Sequence, residues 1–168
     1  MILYHGTNCT IEQIDLEKCR PYKDFGKGFY LTTIREQAEK MANRVTRIYG
    51  GEPIVNVYEF DDINTDLRVK RFEAPTKEWA MFVIHNRNAD ADKNSVEDHN
   101  FDNRYDIVIG PVANDDLALL FRQFSSGMIS VDILIREMEF KKLTNQYSFH
   151  TKEATALLRK VDEYIVKG

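Results

Sequence analysis

The stretch Asp24-Phe25-Gly26-Lys27-Gly28-Phe29-Tyr30-Leu31-Thr32 gives the clearest indication of the architecture. Two glycines flank a lysine and lead directly into residues 28–33, whose aromatic and β-branched types predict a strand. A dinucleotide-binding glycine loop lies between a strand and a helix, whereas these glycines precede a strand. We therefore interpret the stretch as a tight turn followed by a core strand, not as a phosphate-binding loop.

The segments around this strand alternate between strand and helix patterns. Residues 2–5 and 54–60 predict strands, and another strand is expected around 67–72. A helix should follow the glycine-containing strand, because Thr33 and Glu36 match a capping box and Gly50-Gly51 matches a helix end. Its apolar stripe, spaced i, i+3, i+4 and i+7, consists of Ala38, Met41, Ala42 and Val45.

The middle of the chain continues the alternation. Thr76 is placed to cap a second helix, and residues 88–104 are rich in Asp and Asn and predict an exposed loop. Ile107-Val108-Ile109 is a continuous apolar run typical of a buried strand. The inward face of the second helix is expected to carry Trp79, Phe82 and Val83.

Three further helices and one strand are expected near the end of the sequence. Asp115 and Ser130 are placed to cap two of the helices, the second ending near 140, and residues 146–149 predict a core strand. Thr151 should open a closing helix. The apolar stripes predicted for the first and last of these helices are Leu117, Leu120, Phe121 and Phe124, and Ala154, Leu157, Leu158 and Val161.

This alternation, without repeats or a linker, predicts one α+β domain over residues 1–168. The formal net charge of −4 and the absence of a dense Lys/Arg run argue against a high-affinity nucleic-acid binder. No segment has the length and apolarity of a membrane span, and no signal peptide is recognisable, so a cytoplasmic protein is expected. Cys9, Cys19 and four scattered histidines do not predict a metal site.

Two short segments besides the glycine turn carry residues suited to chemistry. In Tyr4-His5-Gly6-Thr7, the glycine permits close approach to the backbone, and a neutral histidine suits a ribose hydroxyl. In Asn145-Gln146-Tyr147-Ser148-Phe149, alternation places Gln146 and Ser148 on one face. Taken alone, the first segment is better explained as a turn with a surface histidine, and the second as a half-buried strand.

Together and in this order, these segments resemble the diphtheria-toxin and poly(ADP-ribose) polymerase branch of the ADP-ribosyltransferase superfamily. Residues 4–7 are similar to its His-Gly-Ser/Thr strand, residues 25–30 to Phe-Gly-Lys-Gly-Ile-Tyr, and residues 145–147 to Asn-Glu-Tyr with Gln146 in place of the glutamate. Through residues 105–115 as well (Tyr-Asp-Ile-Val-Ile-Gly-Pro-Val-Ala-Asn-Asp), the chain resembles a family of small, largely uncharacterised bacterial proteins within that superfamily.

The resemblance implies a fold of two packed, mostly antiparallel β-sheets flanked by helices, with NAD as co-substrate. It implies that His5 holds the nicotinamide-side ribose, that the Gly6 backbone clamps the carboxamide, and that Tyr30 stacks on the nicotinamide ring. Gln146 would lie near the bond that breaks. The positions implied as catalytic are His5, Tyr30 and Gln146, and those implied to bind NAD are His5, Gly6, Thr7, Gly28 and Tyr30.

The chain departs from the polymerase pattern beyond the glutamine. A second stacking tyrosine of the polymerases falls at Met41, and a nicotinamide-binding serine falls at Ala38. Both positions lie on the predicted apolar stripe, so the nicotinamide pocket is expected to be closed differently on that side. Asp115 and Asp116 are weak candidates for a nearby acid, and capping of a helix explains them better.

The resemblance implies a mono-ADP-ribosyltransferase acting on a protein or nucleic acid, as a bacterial toxin or defence effector with a neutralising antitoxin partner. Because glutamine is neutral and cannot act as a base, we expect transfer of a single ADP-ribose and no chain formation. An NAD glycohydrolase would use the same residues. A non-catalytic module that binds NAD or ADP-ribose would retain the fold without releasing nicotinamide.

Overall fold

The computed structural model describes residues 1–61, 66–94 and 97–168, in which strands and helices alternate in an α+β arrangement. None of the helices formed by these residues has the length and apolarity to cross a membrane. In chain order the elements are β1 (Ile2–Thr7), a 3-10 turn (Leu16–Lys18), β2 (Phe29–Thr32), α1 (Arg35–Tyr49), β3 (Ile54–Phe60), β4 (Val69–Arg71), α2 (Lys77–Arg87), β5 (Ile107–Pro111), α3 (Asp115–Ser125), α4 (Val131–Glu139), β6 (Asn145–Phe149), α5 (Lys152–Thr155) and β7 (Leu158–Ile165).

The strands of the described residues form one mixed, seven-stranded sheet in the order β4-β5-β6-β2-β1-β3-β7. Only β4 and β5 run parallel, and the other neighbours are antiparallel. The ladder between β1 and β2 consists of one pair, Tyr4 with Thr32, whereas β1 pairs with β3 from Ile2 to Thr7. This strand order does not show the two-sheet division that the resemblance implied. Instead, a single pair joins a four-stranded half to a three-stranded half.

Apolar side chains cover both faces of the sheet. Helices α2, α3 and α4 contribute to a cluster that includes Trp79, whose indole N–H donates to the Pro111 carbonyl at 3.1 Å. A smaller cluster lies between α1 and the strands β1 and β3, where Ala38 and Ala42 contact the core. The opposite face carries a third cluster, of Leu3, Phe29, Leu31, Tyr58, Phe60, Ile107, Ile109, Tyr147, Phe149 and Ala154.

Three of the predicted helix starts are confirmed by the capping hydrogen bonds. The hydroxyls of Thr76, Ser130 and Thr151 accept backbone N–H groups of the first turn at 3.3, 3.3 and 3.2 Å. Each bond satisfies one of the donors that a helix leaves free at its N-terminus. Gly50 ends α1 with a φ of 80°, a conformation that glycine adopts without strain.

Two predicted caps are wrong. Helix α1 begins after Ile34 without a side-chain cap, because the Ile34 N–H donates to the hydroxyl of Thr32 rather than that of Thr33. Helix α3 is capped by Asn114, whose side chain accepts the Leu117 N–H at 3.1 Å, and not by Asp115. For α3, two neighbouring polar residues of similar capping ability account for the one-residue displacement, whereas α1 starts after an apolar residue that cannot cap it.

The prediction for the stripe of α1 is wrong at Met41, whose surface is 46% exposed while Ala38 and Ala42 are buried. The helix lies so close to β1 that a glycine is needed beneath it, at Gly6. Only alanine-sized side chains fit at such a contact, so the longer methionine lies outside it.

The predicted closing helix is also wrong beyond its first turn. Only Lys152–Thr155 is helical, and Leu158–Ile165 forms β7, which pairs antiparallel with β3. Val161, expected to face inward, is 42% exposed. The apolar spacing fits a helix, but the free edge of β3 provides hydrogen-bond partners that a local pattern does not reveal.

The exposed loop expected at 88–104 contains buried residues, since His99 and Asn100 are 0% and 1% exposed. Asn100 donates to the Phe25 carbonyl at 3.1 Å and accepts the Tyr105 N–H at 3.0 Å. Residues 88–90 and 92–94 are exposed, as predicted, whereas the polar residues His99 and Asn100 form a buried hydrogen-bonded segment. Residues 95–96 of this range lie outside the described residues.

Candidate functional site

The structure places His5, Tyr30 and Gln146 on β1, β2 and β6, which are adjacent in the middle of the sheet. Gln146 lies opposite Thr32 in the ladder between β2 and β6. Because Tyr30 lies two residues before Thr32, the side chains of Tyr30 and Gln146 share one face. Two of the three residues predicted from the sequence therefore meet on the same side of the sheet.

His5 follows Tyr4 on β1, and Tyr4 is opposite Thr32. Alternation along β1 therefore directs the His5 side chain to the other face of the sheet. There its ring stacks on that of Phe29, with centroids 4.2 Å apart. The Nδ1 atom of His5 lies 2.7 Å from the Tyr30 carbonyl oxygen on β2. The ring therefore contacts the backbone of β2 next to the end of the β1–β2 ladder.

The His5 imidazole is held in one neutral form. Burial lowers its pKa from 6.5 to about 4, against a smaller opposing effect of the Tyr30 carbonyl, and the Lys23 charge lowers it further. A carbonyl oxygen only accepts hydrogen bonds, so Nδ1 carries the proton and Nε2 is an acceptor. Near pH 7 the ring therefore offers an acceptor nitrogen suited to a hydroxyl group.

The Gly6 backbone lies where β1 and β2 part. Met1 and Phe60 exchange two hydrogen bonds at the start of the ladder between β1 and β3. Antiparallel pairs alternate, so odd-numbered residues of β1 bond to β3 and the N–H and C=O of Gly6 point towards β2. A continued ladder would pair Gly6 with Tyr30, but β1 and β2 pair only one residue each, and His5 contacts the Tyr30 carbonyl.

Gly6 also has a structural reason to be glycine. A Cβ atom there would collide with the carbonyl oxygen of Ala38 and lie 2.9 Å from the Ala42 nitrogen. The missing side chain thus lets α1 rest directly on β1, while the backbone edge faces β2. The neighbouring Thr7 is half-buried, and its hydroxyl donates to Asn8 Oδ1 at 3.4 Å.

Tyr30 fixes the glycine turn that precedes it. Its hydroxyl donates to the Gly26 carbonyl at 2.5 Å and accepts the Phe25 N–H at 2.9 Å. The residue is half-buried, and its ring lies edge-on to that of His150 with centroids 6.1 Å apart. Burial, with a further contribution from the Asp24 charge, raises the phenol pKa well above its usual value. Tyr30 is therefore a neutral phenol whose hydroxyl makes both of its hydrogen bonds within the turn.

The two glycines of the turn are required by close contacts. Gly26 has a φ of 94°, which favours glycine, and a Cβ at Gly28 would lie 2.5 Å from Nδ1 of His150. His150 Nδ1 also contacts the Lys27 carbonyl at 2.8 Å, and Nε2 contacts the Ser148 hydroxyl at 2.7 Å. Local patterns did not indicate that Ser148 and His150 support the turn, because the contact with Lys27 joins residues 123 positions apart.

Gln146 contacts a buried carboxylate that the sequence analysis missed. Its Nε2 donates to Oδ2 of Asp24 at 2.8 Å, and the Ala113 N–H donates to the same oxygen at 3.2 Å. The other oxygen accepts Nε of Arg87 at 2.6 Å. Asp24, only 7% exposed, immediately precedes the glycine turn, and this position was the one sequence signal for it.

The acids proposed from the sequence lie elsewhere. Asp115 and Asp116 are exposed in the first turn of α3, and Asp116 is 3.7 Å from the Lys141 amine. The acid that accompanies Gln146 is therefore Asp24. Among the described ranges 1–61, 66–94 and 97–168, no group of three or more His, Cys, Asp or Glu is arranged to hold a metal ion.

Two surface cavities are lined by other residues. One, of about 400 Å³, is lined by Arg35, Glu39, Tyr164 and neighbours at the end of β7. The other, of about 360 Å³, includes Lys27 and His150 of the glycine turn. Neither cavity is lined by His5, Tyr30 or Gln146.

Comparison with known proteins assigns the chain to a family. The family model described as "Protein of unknown function (DUF3990)" matches residues 1–159. No curated protein and no solved structure matches the chain. Because the match covers most of the sequence, the chain belongs to the DUF3990 family.

Proposed function

We propose that this member of the DUF3990 family is an NAD-dependent mono-ADP-ribosyltransferase with an ADP-ribosyltransferase-like fold. The observation that carries the proposal is the parting of β1 and β2 at Gly6, beside His5 and Tyr30. A backbone N–H and C=O that point towards β2 beyond the last ladder pair match the C=O and NH₂ of a carboxamide, the group that nicotinamide presents.

The neighbouring side chains suit the rest of the nicotinamide riboside. The acceptor Nε2 of neutral His5 would take a ribose hydroxyl, and the half-buried Tyr30 ring would stack on the cationic nicotinamide. Such stacking with a cation contributes about 0.5–2 kcal/mol. Gln146, on the same face as Tyr30, would accept a hydrogen bond from the second ribose hydroxyl.

The reaction breaks the bond between ribose C1′ and the nicotinamide nitrogen. The bonding electron pair leaves with nicotinamide, which becomes neutral, and positive charge develops on the ribose as in glycoside hydrolysis. An acceptor nucleophile then bonds to C1′ and loses its proton. The protein's contribution is orientation of the two groups and electrostatic stabilisation of the sugar cation.

The test is nicotinamide release from NAD by the purified protein, measured by chromatography together with NAD binding by calorimetry. We expect release above the buffer rate, and a loss of at least about tenfold in His5→Gln, the scale of a lost catalytic hydrogen bond. The matched control is His85→Gln, since His85 contacts Glu97 and His99 rather than the proposed site.

The products distinguish the possible reactions. ADP-ribose attached to a protein or nucleic acid, seen by mass spectrometry, supports transfer, and free ADP-ribose alone would indicate an NAD glycohydrolase. Binding of NAD without release of nicotinamide would indicate a non-catalytic module. Absence of both binding and release would refute the proposal.

A further inference from the structure

The contact between Gln146 and Asp24 gives the glutamine a fixed orientation. A carboxylate only accepts hydrogen bonds, so the amide must present its NH₂ group to Asp24, at 2.8 Å. Among the residues that the structure describes, Asp24 is the hydrogen-bond partner of this side chain. The amide oxygen of half-buried Gln146 therefore remains as an acceptor.

Asp24 itself is held rigidly. Arg87 at the end of α2 and the Ala113 N–H after β5 bind its two oxygens, at 2.6 and 3.2 Å. Arg87 also donates to the Ala113 carbonyl at 3.2 Å, which closes a ring of contacts. The carboxylate thus cannot rotate away from Gln146 without breaking several hydrogen bonds.

We infer that Asp24 is a positioning residue for the reaction: it orients the Gln146 amide so that its oxygen accepts from the ribose, and its carboxylate, which is also paired with Arg87, polarises that amide. This inference rests on the proposed function. A hydrogen bond to a carboxylate polarises an amide and makes its oxygen a stronger acceptor. The pair therefore provides a fixed and strengthened acceptor where a single glutamate would provide a charged one.

The contact between Asp24 and residue 146 determines what Gln146→Glu would do. That substitution would place two carboxyl groups in contact, and two like charges at that distance do not both ionise readily, so the pair would hold one proton with a raised pKa. The charged or titratable groups that face the pair are Arg87, Lys23 and Tyr30. Gln146→Glu alone should therefore not reproduce the catalytic role of an ionised glutamate at this position. Asp24→Asn combined with Gln146→Glu should reproduce it.

The experiment measures nicotinamide release and thermal unfolding for D24N, Q146E and the double variant D24N/Q146E. We expect kcat to fall at least about tenfold in D24N with KM changed less, and the double variant to recover wild-type kcat or exceed it. D116N, at the exposed start of α3, is the matched control and should keep the wild-type kcat.

Stability gives a readout that does not depend on NAD. In Q146E a carboxyl pKa is raised above its unfolded value, so the stability of this variant relative to wild type falls as pH rises from the ordinary carboxyl pKa through the raised one. D24N/Q146E should lose this pH dependence, which also tests the pair if D24N alone does not fold.

The outcomes separate the two hypotheses. An active wild type with D24N equal to D116N, or a double variant no better than either single variant, would overturn the role of Asp24 and leave the proposed function intact. A wild type that neither binds NAD nor releases nicotinamide would refute the proposed function, and this role with it.

Discussion

At the scale of the residue, the Tyr30 phenol has two tasks that can be separated. Its hydroxyl connects Phe25 and Gly26 in the turn, and its ring is the surface proposed to stack on nicotinamide. The two hydrogen bonds stabilise the folded chain whether or not ligand is bound, whereas the ring surface contributes to binding only when ligand is present. A variant that keeps the ring and removes the hydroxyl therefore distinguishes them.

Tyr30→Phe should lower the free energy of unfolding by about 1–3 kcal/mol, because the Phe25 N–H and Gly26 carbonyl lose their shared partner. NAD affinity should stay within a few-fold of wild type, while Tyr30→Ala should lose most of it. Urea denaturation and calorimetry measure the two effects. Equal loss of affinity in both variants would contradict the stacking role of the ring.

The buried His150 predicts a pH dependence of stability. Burial lowers its pKa from 6.5 to about 4, so the unfolded chain binds a proton between these values and the folded chain does not. Stability is fully present above pH 6.5 and is lost as pH falls towards 4, by about 1 kcal/mol per pH unit for one group.

His150→Gln should remove about that slope when the free energy of unfolding is compared at pH 6.5 and pH 5. The comparison is with wild type over the same interval, so contributions from other groups, such as His5, cancel. An unchanged slope in the variant would mean that His150 is protonated in the folded protein.

The motifs themselves were predictable from the sequence, but the Gln146–Asp24 contact was not. Gly26, Gly28 and Tyr30 follow one another in a turn and strand, so local rules describe them. Gln146 and Asp24 are 122 positions apart, and only the pairing of β2 with β6 brings them together. Local patterns carry no information about such a contact.

At the scale of the element, the fit between α1 and β1 depends on Gly6. Gly6→Ala places a Cβ against the Ala38 carbonyl, and backbone atoms cannot move aside as a flexible side chain can. We expect a loss of about 3 kcal/mol or more in the free energy of unfolding.

Urea denaturation checks this expectation, with Thr7→Ala on the same strand as the control. Because Thr7 is half-buried, its substitution should lower the free energy of unfolding much less. A Gly6→Ala protein as stable as wild type would show that the helix does not rest on the strand as described. The substitution is unsuitable as a test of NAD binding, because it alters the packing first.

Element boundaries were predictable where a cap or an apolar run determines them. Thr76, Ser130 and Thr151 cap helices as expected, and Ile107-Val108-Ile109 is a buried strand. The chain after Thr151 was not predictable, because residues 157–161 fit a helical stripe and only the free edge of β3 makes them a strand.

At the scale of the whole molecule, the sheet consists of two halves joined by the pair of Tyr4 and Thr32. The α+β class follows from alternating patterns along the chain, but strand order follows from non-local pairing and was not predictable. The proposed NAD site lies at this junction, where the ladder between β1 and β2 ends.

The most direct measurement is a crystal structure of the protein with NAD or a non-hydrolysable analogue. We expect the carboxamide of nicotinamide to bond to the N–H and C=O of Gly6, with the ring against Tyr30 and the ribose within reach of His5 and the Gln146 oxygen. NAD bound at a different surface, or a structure at saturating NAD with no carboxamide on the Gly6 backbone, would contradict the account.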